Sequence, residues 1–307
     1  MTDLPVIGIR LALYADLMLL TGLAAFPLYS LGRDERRDTS FVPGFAHLLR
    51  WFCALGLLAS TVGIIVLTAN MHGVGAFSVK PAMLRAMVGD TAIGAAWLVR
   101  TLALLVAAIA AWNFTRRPTI AAAILVAAGA VALTTLAWAG HAGASDGLAG
   151  TVHRVADALH MIAAAIWLGA IAAFLLLLRP EHGAILPEQT ALAVRSLDRF
   201  ARIGTICVLV ITATGLINVQ VILGFANIGR AAASPYGQLL LIKLLLFGSM
   251  LVLAAANRWR LTPALDAALV DDDPALATAA IRRSLAAEAA AGAAILALVA
   301  WFGMLEP

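Results

Sequence analysis

Long apolar runs separated by short polar connections set the pattern of this chain. A hydrocarbon core of about 30 Å takes roughly 20 apolar residues as helix. Eight stretches reach that length, at about 6–31, 46–70, 90–112, 119–140, 154–178, 200–224, 236–257 and 284–305. The runs are continuous and show no period-two alternation, so they read as helices and not as barrel strands. A helix also satisfies its own backbone groups in lipid. The predicted fold is all-α: a polytopic membrane bundle of eight transmembrane helices forming one transmembrane domain over 1–307.

The polar positions between the runs orient the bundle. Arg33, Arg36 and Arg37, with Arg50 just beyond, follow the first run; Arg116 and Arg117 follow the third. Arg179, Arg195, Arg199 and Arg202 follow the fifth, and Arg258, Arg260, Arg282 and Arg283 the seventh. The alternate connections hold only Lys80 and Arg85, then Arg154, then Arg230. The positive-inside rule therefore puts the Arg-rich loops in the cytoplasm and both termini outside. The first run reads as a span and not as a cleavable leader. The acidic segment Asp271–Asp273 reads as a solvated cytoplasmic connector.

Composition agrees and excludes alternatives. Of 307 residues, 63% are hydrophobic and only 12% charged, against about 25% charged in a soluble domain. That leaves no polar shell for a soluble enzyme, and too much apolar surface for a disordered chain. The net charge of +4 reports orientation, because the cations sit in short loops; no nucleic-acid partner is expected. Cys53 and Cys207 lie inside apolar runs and make no disulfide framework.

The ionisable residues that remain inside the runs carry the candidate chemistry. The fifth run reads His153-x3-Asp157-x2-His160-Met161, which places three polar groups on one helical face. His72, His141 and His153 fall at outer ends, with His160 just below. Intramembrane ionisable groups face a bundle interior or a cavity and mark sites or packing devices. Imidazole is the commonest transition-metal ligand. Met71, Met83 and Met87 lie in the outer connection after the second run, where thioethers would suit Cu(I) and imidazole also Cu(II); methionine fills space equally well. Together these form a predicted outer metal site. Asp16, Arg100, Asp157 and Lys243 read as a polar interior seam, in which Arg100 pairs with Asp16 or with Asp157. Glu288 is a further buried charge. His47, Cys53 and Cys207 mark a soft exit on the inner side, or plain packing.

Several motifs are similar to the copper resistance protein D (CopD) family. They are Arg199-Phe200-Ala201-Arg202, Thr214-Gly215-Leu216-Ile217-Asn218, Ser234-Pro235-Tyr236-Gly237-Gln238 with Lys243, and Asn257-Arg258-Trp259-Arg260-Leu261-Thr262-Pro263. Leu159-His160 through Trp167-Leu168-Gly169 belongs with them. The likeness is best over about 140–263, and the eight-span layout extends it along the chain. The resemblance implies an inner-membrane copper transport and homeostasis protein, not an enzyme, that imports copper from the periplasm. It also implies a separate small periplasmic copper-binding partner (CopC-like). No Walker-type ATP loop is present. Two other readings fit the residues: a b-type haem electron-transfer protein with His160 paired to His72 or His141, and a copper-binding sensor or assembly chaperone without flux.

Overall fold

The computed structural model of the chain describes residues 4–37, 42–139, 147–180, 187–224, 234–271 and 273–302. Its regular structure is helical, with no strand among the described residues. In chain order the helices are α1 (Leu4–Ser30), α2 (Val42–Met71), α3 (Pro81–Asp90), α4 (Ala92–Trp112), α5 (Pro118–Thr134), α6 (Gly147–Leu177), α7 (Pro187–Ile222), α8 (Pro235–Ala256), α9 (Thr262–Val270) and α10 (Ala275–Phe302). α8 continues through a π turn, Asn257–Leu261, into α9. Eight of the helices are long and apolar enough to cross a membrane; α3 is a short helix in the connection between α2 and α4.

Several helices outrun their apolar stretches, α6 among them, beginning at Gly147 and not at 154. The seventh helix begins at Pro187, well before the predicted 200, and the last at Ala275, not 284. Hydropathy marks only the lipid-length part. The extension of α7 is amphipathic instead: Ala193, Val194 and Leu197 are buried, while Arg195, Asp198 and Arg199 are exposed. That spacing is one face of a helix lying on a core.

α1 is the centre of the bundle. It packs on α2, α5 and α6, and also touches α7 and α10. Leu17, Leu20, Ala24 and Phe26 are wholly buried. Small residues permit its closest approaches: a Cβ on Gly22 would run into the Ala165 carbonyl, and one on Gly169 into the Gly22 backbone. A Cβ on Gly129 of α5 would lie 2.6 Å from Thr21 Oγ1. Lipid is as apolar as leucine, so such close backbone packing carries helix association in a membrane.

The inner end of α1 is capped by arginines. Arg36 donates from Nε to the Pro27 and Leu31 carbonyls (2.7 and 3.1 Å) and from Nη2 to the Leu28 carbonyl (2.8 Å). Arg199 donates to the Ser30 carbonyl at 2.7 Å. These are carbonyls of the last turn, at the negative end of the helix dipole, and of them Pro27 also accepts from the Leu31 N–H at 3.4 Å. Glu35 ties the cap together, accepting from the Gly32 N–H at 2.6 Å, Arg195 at 3.1 Å and Arg199 at 3.2 Å. Burial pushes the Glu35 carboxyl up, but the Gly32 N–H and the two guanidiniums outweigh it and hold it below its ordinary value. A depressed folded value adds stability that is present above the unfolded value and lost as pH falls through the folded one. Glu35→Gln is therefore expected to flatten the acid side of the thermal-unfolding profile below about pH 4. The effect is under ~1 kcal/mol because the pair is largely exposed. Identical acid profiles for the variant and the parent would contradict the cap.

Candidate functional site

A band of polar side chains lies between α1, α6, α7 and α8, in the half of the bundle that the charge pattern predicts to face outward. His160 of α6 stands in it, its Nδ1 3.0 Å from Thr214 Oγ1 on α7. The one hydroxyl proton of Thr214 goes to the Val210 carbonyl, 2.6 Å away on its own helix. The Thr214 oxygen therefore accepts from His160 Nδ1–H. The Ile211 backbone also bonds the ring; with the proton on Nδ1, Nε2 carries none, the state in which a histidine ligates. Gly215 lies beside the ring, where a Cβ would make an ordinary contact with His160 Cε1 at 3.8 Å.

One charged group acts on this ring, and others are linked to it in turn. Lys243 of α8 is close enough for its charge to act on His160. Asp157, three residues before His160, acts on both Lys243 and Tyr14 of α1. Tyr14 is hydrogen-bonded to Arg10. α8 packs its backbone on α10 and meets α6 through side chains, with Phe247 edge-on to Trp167 at 6.0 Å between centroids. Sequence reasoning found Asp157, His160 and Lys243. It missed Arg10 and Tyr14, and it quoted Thr214 only as part of a motif.

Asp16 and Arg100 are both buried, as expected, but they do not pair. Arg100 donates to Ser60 Oγ at 2.8 Å and to Thr135 Oγ1 at 3.3 Å. Asp16 points at Gly56, where a Cβ would lie 2.5 Å from Oδ2, and both its oxygens are buried without a hydrogen-bond partner. Gly56 and Ser60 are one turn apart on α2, about 6 Å along its axis. Each side chain thus reaches a different turn of that helix. Trp97 fills the level of Arg100, donating to the Ser60 carbonyl at 3.0 Å. The predicted seam therefore divides in two, with Asp16 and Arg100 among α1, α2, α4 and α5, and Asp157 and Lys243 beside α6 and α8.

The outer residues are spread across the bundle. His72 is exposed at the end of α2 and bonds through Nδ1 to its own helix, at the Thr68 carbonyl (2.9 Å). Met71 is exposed. Met83 and Met87 share α3; Met87 is buried, its carbonyl accepts the Thr91 hydroxyl at 2.6 Å, and its sulfur lies 3.5 Å from that oxygen. His153 is buried on α6, with Nδ1 unpartnered. α2 packs on α1, α3 and α4, whereas α6 packs on α1, α5, α7 and α10, so α1 stands between His72 and His160. His141 and His182 lie outside the described residues. On the inner side, His47 is exposed against Trp51. Cys53 and Cys207 are buried free thiols. Cys53 lies near Asp16 and Cys207 near Tyr29, positions about 20 Å apart along α1.

Among the described residues, no three His, Cys, Asp or Glu side chains form a ready metal-binding group. The band around His160 offers one bare imidazole nitrogen and one nearby carboxylate.

Residues 1–151 match the family model "Copper resistance protein D-like, N-terminal domain", and residues 194–302 match "Copper resistance protein D". The chain is 40% identical over 301 residues to Copper resistance protein D of Pseudomonas syringae pv. tomato, covering 98% of this chain and 96% of that protein. It is 27% identical over 301 residues to Inner membrane protein YebZ of Escherichia coli (strain K12), covering 98% of each. No solved structure matches.

Proposed function

The chain belongs to the copper resistance protein D family, and from that membership we infer a multi-pass inner-membrane protein that carries copper from the periplasm to the cytoplasm. Copper is its cargo. The observation that carries the reading is the His160 ring, pinned by Thr214 with Nε2 bare, inside a band of polar groups that four helices contribute. Buried polarity of that kind is costly in lipid without a task.

Copper is first taken up at the outer surface, where Met71 and His72 are exposed and where Met83 and, by sequence, His141 lie, with His153 buried beneath on α6. Thioethers favour Cu(I), and imidazole accepts either oxidation state. His160 then receives the ion from the outer side, with the Asp157 carboxylate lowering the cost of its charge. A separate periplasmic copper-binding protein delivers the metal. Asp16 and Arg100 serve packing in this scheme, and Cys207 is the soft donor nearest the inner end of the route.

Cell-associated copper, measured at limiting copper in strains with and without the gene, tests import. Greater accumulation with the gene is expected, and equal accumulation would sink the reading. Metal analysis of purified variants tests the route: His160→Ala and His153→Ala are expected to retain less copper than His182→Ala. Equal retention in all three would discredit the outer assignment.

A further inference from the structure

A second polar cluster, in the inner half, has no part in the outer site. Glu288 of α10 is 2% exposed. It accepts hydrogen bonds from Asn257 Nδ2 and from the Trp167 indole, both neutral donors. Asn257 opens the π turn, is itself 6% exposed, and keeps a buried carbonyl oxygen, Oδ1, without a partner. All three residues line a cavity of about 220 Å³ between α6, α7, the end of α8 and α10. At roughly 30 Å³ per water molecule in the liquid, that space holds several. Single π turns inside α-helices gather at functional sites.

The charges around Glu288 are few. α1 is uncharged from Leu17 to Gly32, α6 from Met161 to Leu178, and α8 from Leu244 to Ala256. The other charged groups lining the cavity are Asp198 of α7 and Arg258 of the π turn. Arg258 is engaged on α7, with the Thr205 hydroxyl at 2.9 Å and the Ala201 carbonyl at 3.4 Å. The π turn also carries Arg260, and α9 carries Asp266; both are exposed. Arg282 and Arg283 precede Glu288 on α10 by more than a turn. A buried carboxylate facing only neutral donors is expensive as a permanent anion. A carboxyl that trades a proton with cavity water avoids that cost.

We propose that Glu288 is a proton-exchange site opening on the inner cavity. A hydronium in the cavity gives its proton to a carboxylate oxygen of Glu288, forming one O–H bond and leaving water, and the reverse step returns the proton. Asn257 Oδ1 is the acceptor that holds the delivering water. The coupling of this site to transport rests on the copper-import reading: a copper ion entering the inner half favours the anionic carboxylate and so expels the proton into the cavity.

Infrared difference spectra of the purified protein in lipid, titrated across the neutral range without copper, read the site directly. Asp16, a second buried carboxyl, has no hydrogen-bond partner, and its signal is removed by reading the spectra in an Asp16→Asn background. There a protonated-carboxyl C=O band is expected to titrate, to persist on adding Asp198→Asn, and to vanish on adding Glu288→Gln. Glutamine keeps an oxygen for Asn257 and Trp167, and Glu288→Asp, expected to keep a shifted band, guards against a folding defect. A titrating band that persists in Asp16→Asn with Glu288→Gln, or none in Asp16→Asn alone, overturns the proposal. Copper flux into proteoliposomes then reads the coupling: the parent should depend on internal pH, and Glu288→Gln should vary less than about twofold over the same range. Equal dependence in both would overturn the coupling. A titrating band in a protein that moves no copper would leave the proton site standing and remove import.

Discussion

Alanine at His160 is expected to lower copper uptake into proteoliposomes by at least about tenfold while the protein stays folded. The reason is local. The imidazole Nε2 is the one bare ring nitrogen that the helices hold in place within the polar band, and alanine removes it. Thr214 still donates to the Val210 carbonyl after the change, so no buried donor is orphaned. Thr214→Val is the companion variant. It keeps the shape of the side chain but removes the acceptor of His160 Nδ1–H, and loss of such an orienting partner typically costs 10–100-fold in metal affinity. Uptake is measured with reconstituted protein at fixed internal copper chelator, beside a thermal-unfolding scan of each variant. Unchanged uptake by His160→Ala would remove the histidine from the route.

Leucine at Gly169 is expected to abolish the folded bundle. The added Cβ meets the Gly22 backbone of α1, not a side chain that can rotate away. Overpacking a core costs about 1–3 kcal/mol even where side chains can adjust; a clash with backbone forces α1 and α6 apart. α1 also holds α2 and α5, so the loss spreads through the bundle. Gly248→Leu is the control, because a Cβ there has no neighbour within 4 Å. Size-exclusion profiles after detergent extraction should show a monodisperse peak for Gly248→Leu and aggregate for Gly169→Leu. Matching profiles would contradict the central role of α1.

The eight spans were legible because lipid imposes a length and an apolar composition that a sequence displays directly. The helical extensions at Pro187 and Ala275 were not, since outside the slab an amphipathic face replaces hydropathy as the signal. On α6, the three-residue step from Asp157 to His160 placed both on one face, and the structure puts both beside Lys243 of α8. The Asp16–Arg100 pairing failed for a geometric reason: depth along the spans was readable, but rotation about each helix axis was not, and one turn of α2 separates their contacts. Likewise, Met83 and Met87 share a helix as their spacing suggested, yet one sulfur is buried under Thr91. Glu288 was visible as a buried charge, while its partners Asn257 and Trp167 come from distant segments that only packing joins.

Copper-edge anomalous scattering from crystals of the copper-loaded protein tests the central claim most directly. The account predicts a copper peak within bonding distance of His160 Nε2, between α6, α7 and α8, that disappears in His160→Ala. A loaded protein whose copper lies only at other positions, with none against His160, would contradict it.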